Sequence, residues 1–423
     1  MKDRYGNPLT TTSATARDEY VEGLDRFLAA SPDVLDHIDA AIAADDRFAM
    51  AHLLRARQLQ MLGRMTDMQA ALARAMALAP ETSAQEQAGI AALALLLSGK
   101  PAEARAAIYA HVRDYPRDAL ITQPCMGVFG LIGFSGEAGR EAEQLAYTTA
   151  LAPHYGDDWW FLSGHAFAQM EVGQLGPAER SIEAALAGNP QSANSAHYRS
   201  HLYYEAGEAE AGLAYIDDWM QGYAKAGLLH CHISWHIALW ELAAGNEARM
   251  WKVIDADITP GRAGGPAINV LTDMAAILYR AELAGVEVPT ERWRIVSEYA
   301  ATCFPNPGMT FADVHAALAH AMAGKGEALT RLMTDAKGPA ADAVSRLARS
   351  FGALAKGAWA EATAHLTTAL TDHERIGGSR AQRDLIELAM CGALLKQGRG
   401  EEATRLLTIR RPMVAQGAVA GLA

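Results

Sequence analysis

The sequence predicts an all-α fold, a right-handed superhelical solenoid of about ten antiparallel helical hairpins. Three observations carry the prediction. Glycines recur at Gly63, Gly99, Gly136, Gly173, Gly207 and Gly245, with spacings of 36, 37, 37, 34 and 38 residues. Prolines fall at Pro80, Pro116, Pro153, Pro190 and Pro260, with spacings of 36, 37, 37 and 70, the last being two units with one proline absent. No stretch alternates polar and apolar residues as a half-buried strand would. Glycine accepts the left-handed conformation that closes a helix, and proline blocks continuation, so each ladder marks a helix end by its own mechanism.

Taken in chain order, residues 1–25 read as a polar N-terminal extension and 26–260 as the regular repeats. Residues 261–423 read as less regular repeats continuing the same solenoid. The best-formed unit is Ala51–Pro80: a first helix, a glycine turn, an alanine-rich second helix, then proline. The unit Gly164–Pro190 follows the same plan. Further turn glycines stand at Gly285, Gly324, Gly357 and Gly398, spaced 40, 39, 33 and 41 residues from Gly245 onward. Loop inserts are expected at Thr259–Pro266 and Phe304–Gly308.

Composition narrows the function. Half of the 423 residues are hydrophobic, ample for a continuous core. The formal charge is −12, and no stripe of lysine and arginine with interleaved aromatics occurs. That argues against a nucleic-acid partner, since phosphate neutralisation needs clustered cations. Residues Met1 to Tyr20 lack a hydrophobic signal core, and the apolar run Gly89–Leu97 is too short for a bilayer. Cys125, Cys231, Cys303 and Cys391 form no CxxC, so a reducing compartment is the expectation. A soluble cytoplasmic protein follows, with no membrane partner and with homo-oligomerisation left open.

Chemistry concentrates in two histidine dyads, His197/His201 and His232/His236. Within each dyad the spacing of four puts both rings on one helix face. The dyads are 35 residues apart, one repeat, so equivalent helices would carry four imidazoles on adjacent surfaces. With His315, they form the candidate ligands for a transition metal, zinc or iron first. Neither dyad reads HExxH, so the general base of a metalloprotease is missing. Without metal, His201, His236 and Asp313 are the candidates for acid–base work near neutral pH. Arg199 is the candidate anchor for a substrate carboxylate or phosphate, its long side chain curling around the helix edge. His165 is the neighbour one repeat earlier, and Asp273 could reach the same groove. The opposing expectation is that these are ordinary buried histidines satisfied by local partners.

Other motifs say less. Trp159, Trp160, Trp235 and Trp240 are core or groove wall, with Trp235 the one set to stack on a ligand. Gly377-Gly378-Ser379, leading into Gln382-Arg383-Asp384, could aim helix N-terminal amides and Arg383 at an anion; a capped helix start is the plainer reading. There is no Walker loop, GxGxxG or GxSxG.

The Ala51–Pro80 unit resembles a tetratricopeptide repeat. The stretch His197–His236, then Asp273-Met-Ala-Ala-Ile-Leu-Tyr-Arg280, Phe311-Ala-Asp-Val-His315 and Gly377-Gly-Ser-Arg-Ala-Gln-Arg-Asp384 resemble the tetratricopeptide repeat protein 38 family, as does the opening Gly6-Asn-Pro-Leu-Thr-Thr-Thr-Ser13. The resemblance extends over essentially the whole chain and implies a fold more than a reaction. Family members typically carry His-Asp where this chain has Pro124-Cys125, and His-Glu where it has Tyr203-Tyr204. Tyr198 and Arg199 also stand in place of small or apolar residues.

Two functions compete at this stage. One is a His-rich concave pocket binding a metal or a small anionic molecule, with or without catalysis. The other is a non-catalytic scaffold holding a peptide or helix in the groove. Polar residues concentrated in the middle repeats, rather than recurring along the groove, favour the pocket.

Overall fold

The structure, a computed structural model, describes residues 1–412. The last eleven residues of the C-terminal stretch, 413–423, lie outside it. Twenty-two α-helices follow one another as hairpins. They are α1 (Ala14–Ala29) and α2 (Val34–Ala44), α3 (Ala49–Met61) and α4 (Met65–Leu78), α5 (Ala84–Leu97) and α6 (Pro101–Asp114). Next come α7 (Ala119–Thr122) and α8 (Arg140–Tyr155), α9 (Trp159–Glu171) and α10 (Leu175–Gly188), α11 (Ala193–Ala206) and α12 (Ala209–Met220). The second half adds α13 (His230–Ala243) and α14 (Glu247–Val253), α15 (Ala267–Leu283) and α16 (Thr290–Cys303), α17 (Thr310–Met322) and α18 (Gly326–Thr334). It ends with α19 (Ala341–Ala355) and α20 (Trp359–Ala369), then α21 (Arg380–Leu395) and α22 (Gly400–Arg410). Among the described residues there is no strand, only an isolated bridge between Lys2 and Pro8.

The glycine ladder has a direct physical basis. All ten turn glycines, from Gly63 to Gly398, hold φ between 67° and 81°, the left-handed region closed to most side chains. Among the described residues the hairpins number eleven, in keeping with the expected ten or so. The first one begins at Ala14, inside the stretch 1–25 read as an extension, and its turn uses Ala30 at φ 56° instead of glycine. Pro153 does not end its helix but sits inside α8, which runs on to Tyr155. The loop inserts at Thr259–Pro266 and Phe304–Gly308 are irregular, the first preceded by a π-helical turn at Ile254–Ile258.

First and second helices differ sharply in burial. In α13 every residue from His230 to Leu242 is buried, whereas α14 buries only Met250. The same contrast separates α11 from α12 and α21 from α22. A helix buried all round must be packed on its concave side too. Here the chain fills its own groove: α21 packs against α11 and α15, and α1 against α11. Asn194 donates to Leu28 O at 2.9 Å and Tyr223 to Ala30 O at 2.6 Å, tying the first hairpin to the middle of the molecule. The helix α7 is cut short after four residues, and in the segment 126–139 that follows Phe129 and Phe134 pack on Phe311. No described helix is long and apolar enough to cross a membrane.

Candidate metal centre

Ser192 caps α11 by accepting from Ser195 N–H, and Gly207 closes it with φ 76°. Between these ends His197 and His201 occupy successive turns of one face. The helix α13, packed beside the α11–α12 hairpin, presents His232 and His236 to them. The six distances between ring centres run from 4.6 to 6.4 Å. One nitrogen from each ring lies within 4.8 Å of the other three. A metal held about 2.0–2.1 Å from four tetrahedrally disposed imidazole nitrogens separates the ring centres by roughly 5 Å. The four histidines offer that kind and number of ligands, at ring separations that bracket this value.

Their surroundings sharpen the match. His236 is fully buried with neither ring nitrogen partnered, and His201 Nδ1 is likewise without a partner. His197 and His201 meet through their Nε2 atoms at 2.9 Å, an arrangement that needs one ring to donate and the other to accept. His232 Nδ1 donates to the Asp273 carboxylate at 2.9 and 3.0 Å, which turns its Nε2 to the other rings. A carboxylate behind a ligating imidazole fixes its tautomer and raises its basicity. Burial, followed by the neighbouring rings, holds His197 and His236 well below the usual histidine range, and burial does the same for His201. Neutral imidazoles are the form that binds metal. Burial pushes the Asp273 carboxyl up, opposed by His232. The Cys231 thiol, 3.9 Å from Asp273, is pushed up by burial and then by that carboxylate, so it stays a thiol.

The remaining sequence candidates lie elsewhere. His315 is not part of the group: its Nδ1 donates to Phe311 O at 2.8 Å, one turn back on its own helix. Asp313 accepts from Gly308 N–H at 2.8 Å and fastens the preceding loop, while burial raises it to about 6. His165 is held by Thr148 Oγ1 and Gln169 Nε2, at 2.9 and 3.1 Å. Arg199 points the opposite way, onto the Tyr203 and Tyr215 rings, with Tyr203 Oη at 3.0 Å and Glu183 at 3.3 Å. Two residues from each histidine, it faces the second helices of the hairpins and cannot anchor a ligand at the cluster. Trp235 is fully buried and stacked on His232 at 5.3 Å with planes 12° apart, so it is wall, not an open platform.

The glycine–serine turn belongs to a second buried cluster. Ser379 caps α21 in a reciprocal capping box with Gln382. The Arg380 amide does meet an anion, but an internal one: both Glu171 oxygens, at 3.1 and 3.0 Å. Arg383 donates to Gly378 O at 2.5 Å and pairs with Glu141 and Glu171. Arg411 grips Glu205 at 2.7 and 3.0 Å and Asp384 at 2.9 Å, and Tyr204 donates to Asp384 at 2.7 Å. Arg280 completes the network with the Tyr204 hydroxyl at 3.2 Å and Ala381 O at 2.5 Å. The sequence reading picked out Arg383 and its turn but not Arg411 or Glu205, which no local pattern marks.

No family model matches the chain. Among solved structures it is similar to a tetratricopeptide repeat protein from Parabacteroides merdae, 15% identical over 72% of this chain and 98% of that one, with a TM-score of 0.35. It is also similar to the human IFIT1 dimer with PPP-AAAA, 14% identical over 96% of this chain and 89% of that one, TM-score 0.45. Yeast Tom70 is 13% identical over 95% and 93%, TM-score 0.37.

Proposed function

We propose that this chain is a tetratricopeptide-like repeat protein that holds one transition metal ion through His197, His201, His232 and His236. The observation that carries the reading is the four-imidazole cage itself: mutually spaced for tetrahedral ligation, backed by Asp273, and with the His236 nitrogens otherwise unsatisfied. Buried polar atoms without partners are rare and costly, and a metal removes that cost. Zinc fits tetrahedral nitrogen ligation, with iron as the second candidate. The relative exposures are 7, 1, 3 and 0% in chain order, so solvent and substrate are kept out. Closed four-ligand sites of this kind stabilise a fold, whereas catalytic sites keep a position open. The metal therefore cross-links α11 to α13, and His201 and His236 serve as ligands rather than as acid and base. The chain's groove being occupied by its own residues, a protein partner would meet the outer surface of the solenoid. Membership in the tetratricopeptide repeat protein 38 family is part of the same reading. It draws support from the way the quoted motifs converge: Asp273 behind His232, and Gly377–Asp384 at the centre of the ionic network.

The test is metal analysis of protein purified without a polyhistidine tag, with X-ray absorption at the bound metal's edge. One metal per chain with four nitrogen neighbours is expected. A metal-free protein that takes up neither zinc nor iron on addition would refute the reading.

A further inference from the structure

A second unsatisfied feature lies outside the group of four histidines. Arg57 on α3 is 8% exposed, yet it has no ion pair among the described residues. Its guanidinium reaches the neutral Gln60 carbonyl, Met61 Sδ at 3.4 Å and Gln123 Oε1 at 3.1 Å, while its Nε has no partner. Burial alone lowers it, to about 10, and no carboxylate acts on it, so it remains charged at neutral pH. A buried charge without a counter-charge is expensive and seldom kept for packing.

A cavity of about 50 Å³ lies beyond Gln123, the residue whose side-chain oxygen takes the Arg57 guanidinium. Its polar walls are Gln123, Ser163, Asn194 and Tyr198, with the Asn194 amide already donating to Leu28 O, and its apolar walls are Met126, Trp160 and Gly164. Gln123 gives its oxygen to Arg57, which leaves its amide nitrogen as the end free to donate. The Ser163 hydroxyl is 2% exposed and has no partner. The Tyr198 hydroxyl at the cavity wall is the third donor. Three neutral donors thus line a space behind which stands one uncompensated positive charge.

We infer that this cavity binds a small carboxylate. The volume, roughly that of three or four waters, admits an anion of acetate size. The carboxylate would accept from Gln123 Nε2, Ser163 Oγ and Tyr198 Oη, with its short alkyl group against Met126 and Trp160. Its negative charge would act on Arg57 across Gln123, the residue that both bonds the guanidinium and lines the cavity. This site shares no residue with the histidine cage, so either can fail without the other.

The experiment is calorimetric titration of the full chain with acetate and with formate at constant ionic strength, against chloride and inorganic phosphate. Saturable acetate binding at one site per chain is expected, weakened at least tenfold in Ser163→Ala and in Tyr198→Phe, and absent in Arg57→Met. Metal content stays unchanged in all three variants. Absence of acetate and formate binding to the native chain would overturn the inference, as would equal affinity in Ser163→Ala and Tyr198→Phe. Phosphate or chloride binding as tightly as acetate would also overturn it. Should Arg57→Met fail to fold, the two hydroxyl variants decide.

Discussion

Two buried polar clusters lie side by side in the middle of this molecule, and they are built on opposite principles. The network around α21 sets cations against anions, and each guanidinium finds carboxylates or carbonyls: Arg411 with Glu205 and Asp384, Arg383 with Glu171 and Glu141. Its charges are balanced from within, although the Nε atoms of Arg280 and Arg383 have no hydrogen-bond partner among the described residues. The histidine cage gathers four like groups, whose only partners are one another and Asp273, with His236 left wholly unpartnered. Positive charge on two such rings would repel. Opposite charges hold the first cluster together, whereas four like rings have no counter-charge but Asp273, and on the proposed reading the metal is the group that completes them.

Removing the metal is the sharpest way to break that comparison. Replacing His201 and His236 together by alanine should take metal content from one per chain to near zero. A ligand bound at a thousandfold its Kd contributes about 4 kcal/mol to stability, so a chelator should lower the native protein by an amount of that order and leave the double variant unmoved. Denaturant unfolding with and without chelator measures both.

The charge-balanced cluster should fail differently. Substituting Arg411→Met strands Glu205 and Asp384 without their shared cation, and breaking a buried pair from one side costs about 3 kcal/mol. Metal content should not change. Loss of the metal in this variant would mean that the two clusters are one cooperative unit.

Much of this was legible in the chain, and the limits have physical reasons. The ladder of glycines was readable because each backbone turn demands positive φ, and the one hairpin it missed turns at Ala30, an alanine in that region. The dyads were readable because helical spacing and repeat period are both local properties. Arg199 could not be placed as an anchor from spacing alone, since a side chain two residues off the stripe finds its partners at Tyr203 on its own helix and at Glu183 and Tyr215 on the adjacent second helices. The filling of the groove by α21 was hidden for a different reason. Arg411 meets Glu205 across 206 residues of sequence, and nothing near either one announces the other.

Asp273 is the carboxylate that belongs to the cage by position. Asp273→Asn keeps the shape but removes the charge behind His232. Outer-shell changes of this kind typically weaken metal affinity about 10- to 100-fold. Competition with a chromophoric chelator should register that loss while the metal-free stability shifts little. An unaltered affinity would assign Asp273 to packing alone.

The smallest effect separates the cage from the ordinary buried histidines that the same fold contains. His315 and His320 are both held at about 4 by burial, and each has a single partner, Phe311 O and Ser297 Oγ respectively. Arg280 faces His315, and Arg331 and Lys325 face His320, each adding to the downward shift. Because the folded-state value lies below the unfolded one near 6.5, the unfolded chain takes up protons first. The stability they lend is therefore whole above about pH 6.5 and is lost as pH falls toward 4. At pH 5.5 each should cost on the order of 1 kcal/mol relative to pH 7.5. His320→Gln keeps a hydrogen-bonding group opposite Ser297 but cannot titrate, so it should remove its own share of the acid sensitivity and leave metal content at one per chain. Unfolding midpoints at the two pH values give the answer. An unchanged pH slope in this variant would place the acid sensitivity elsewhere, and loss of metal would bring His320 into the reach of the cage.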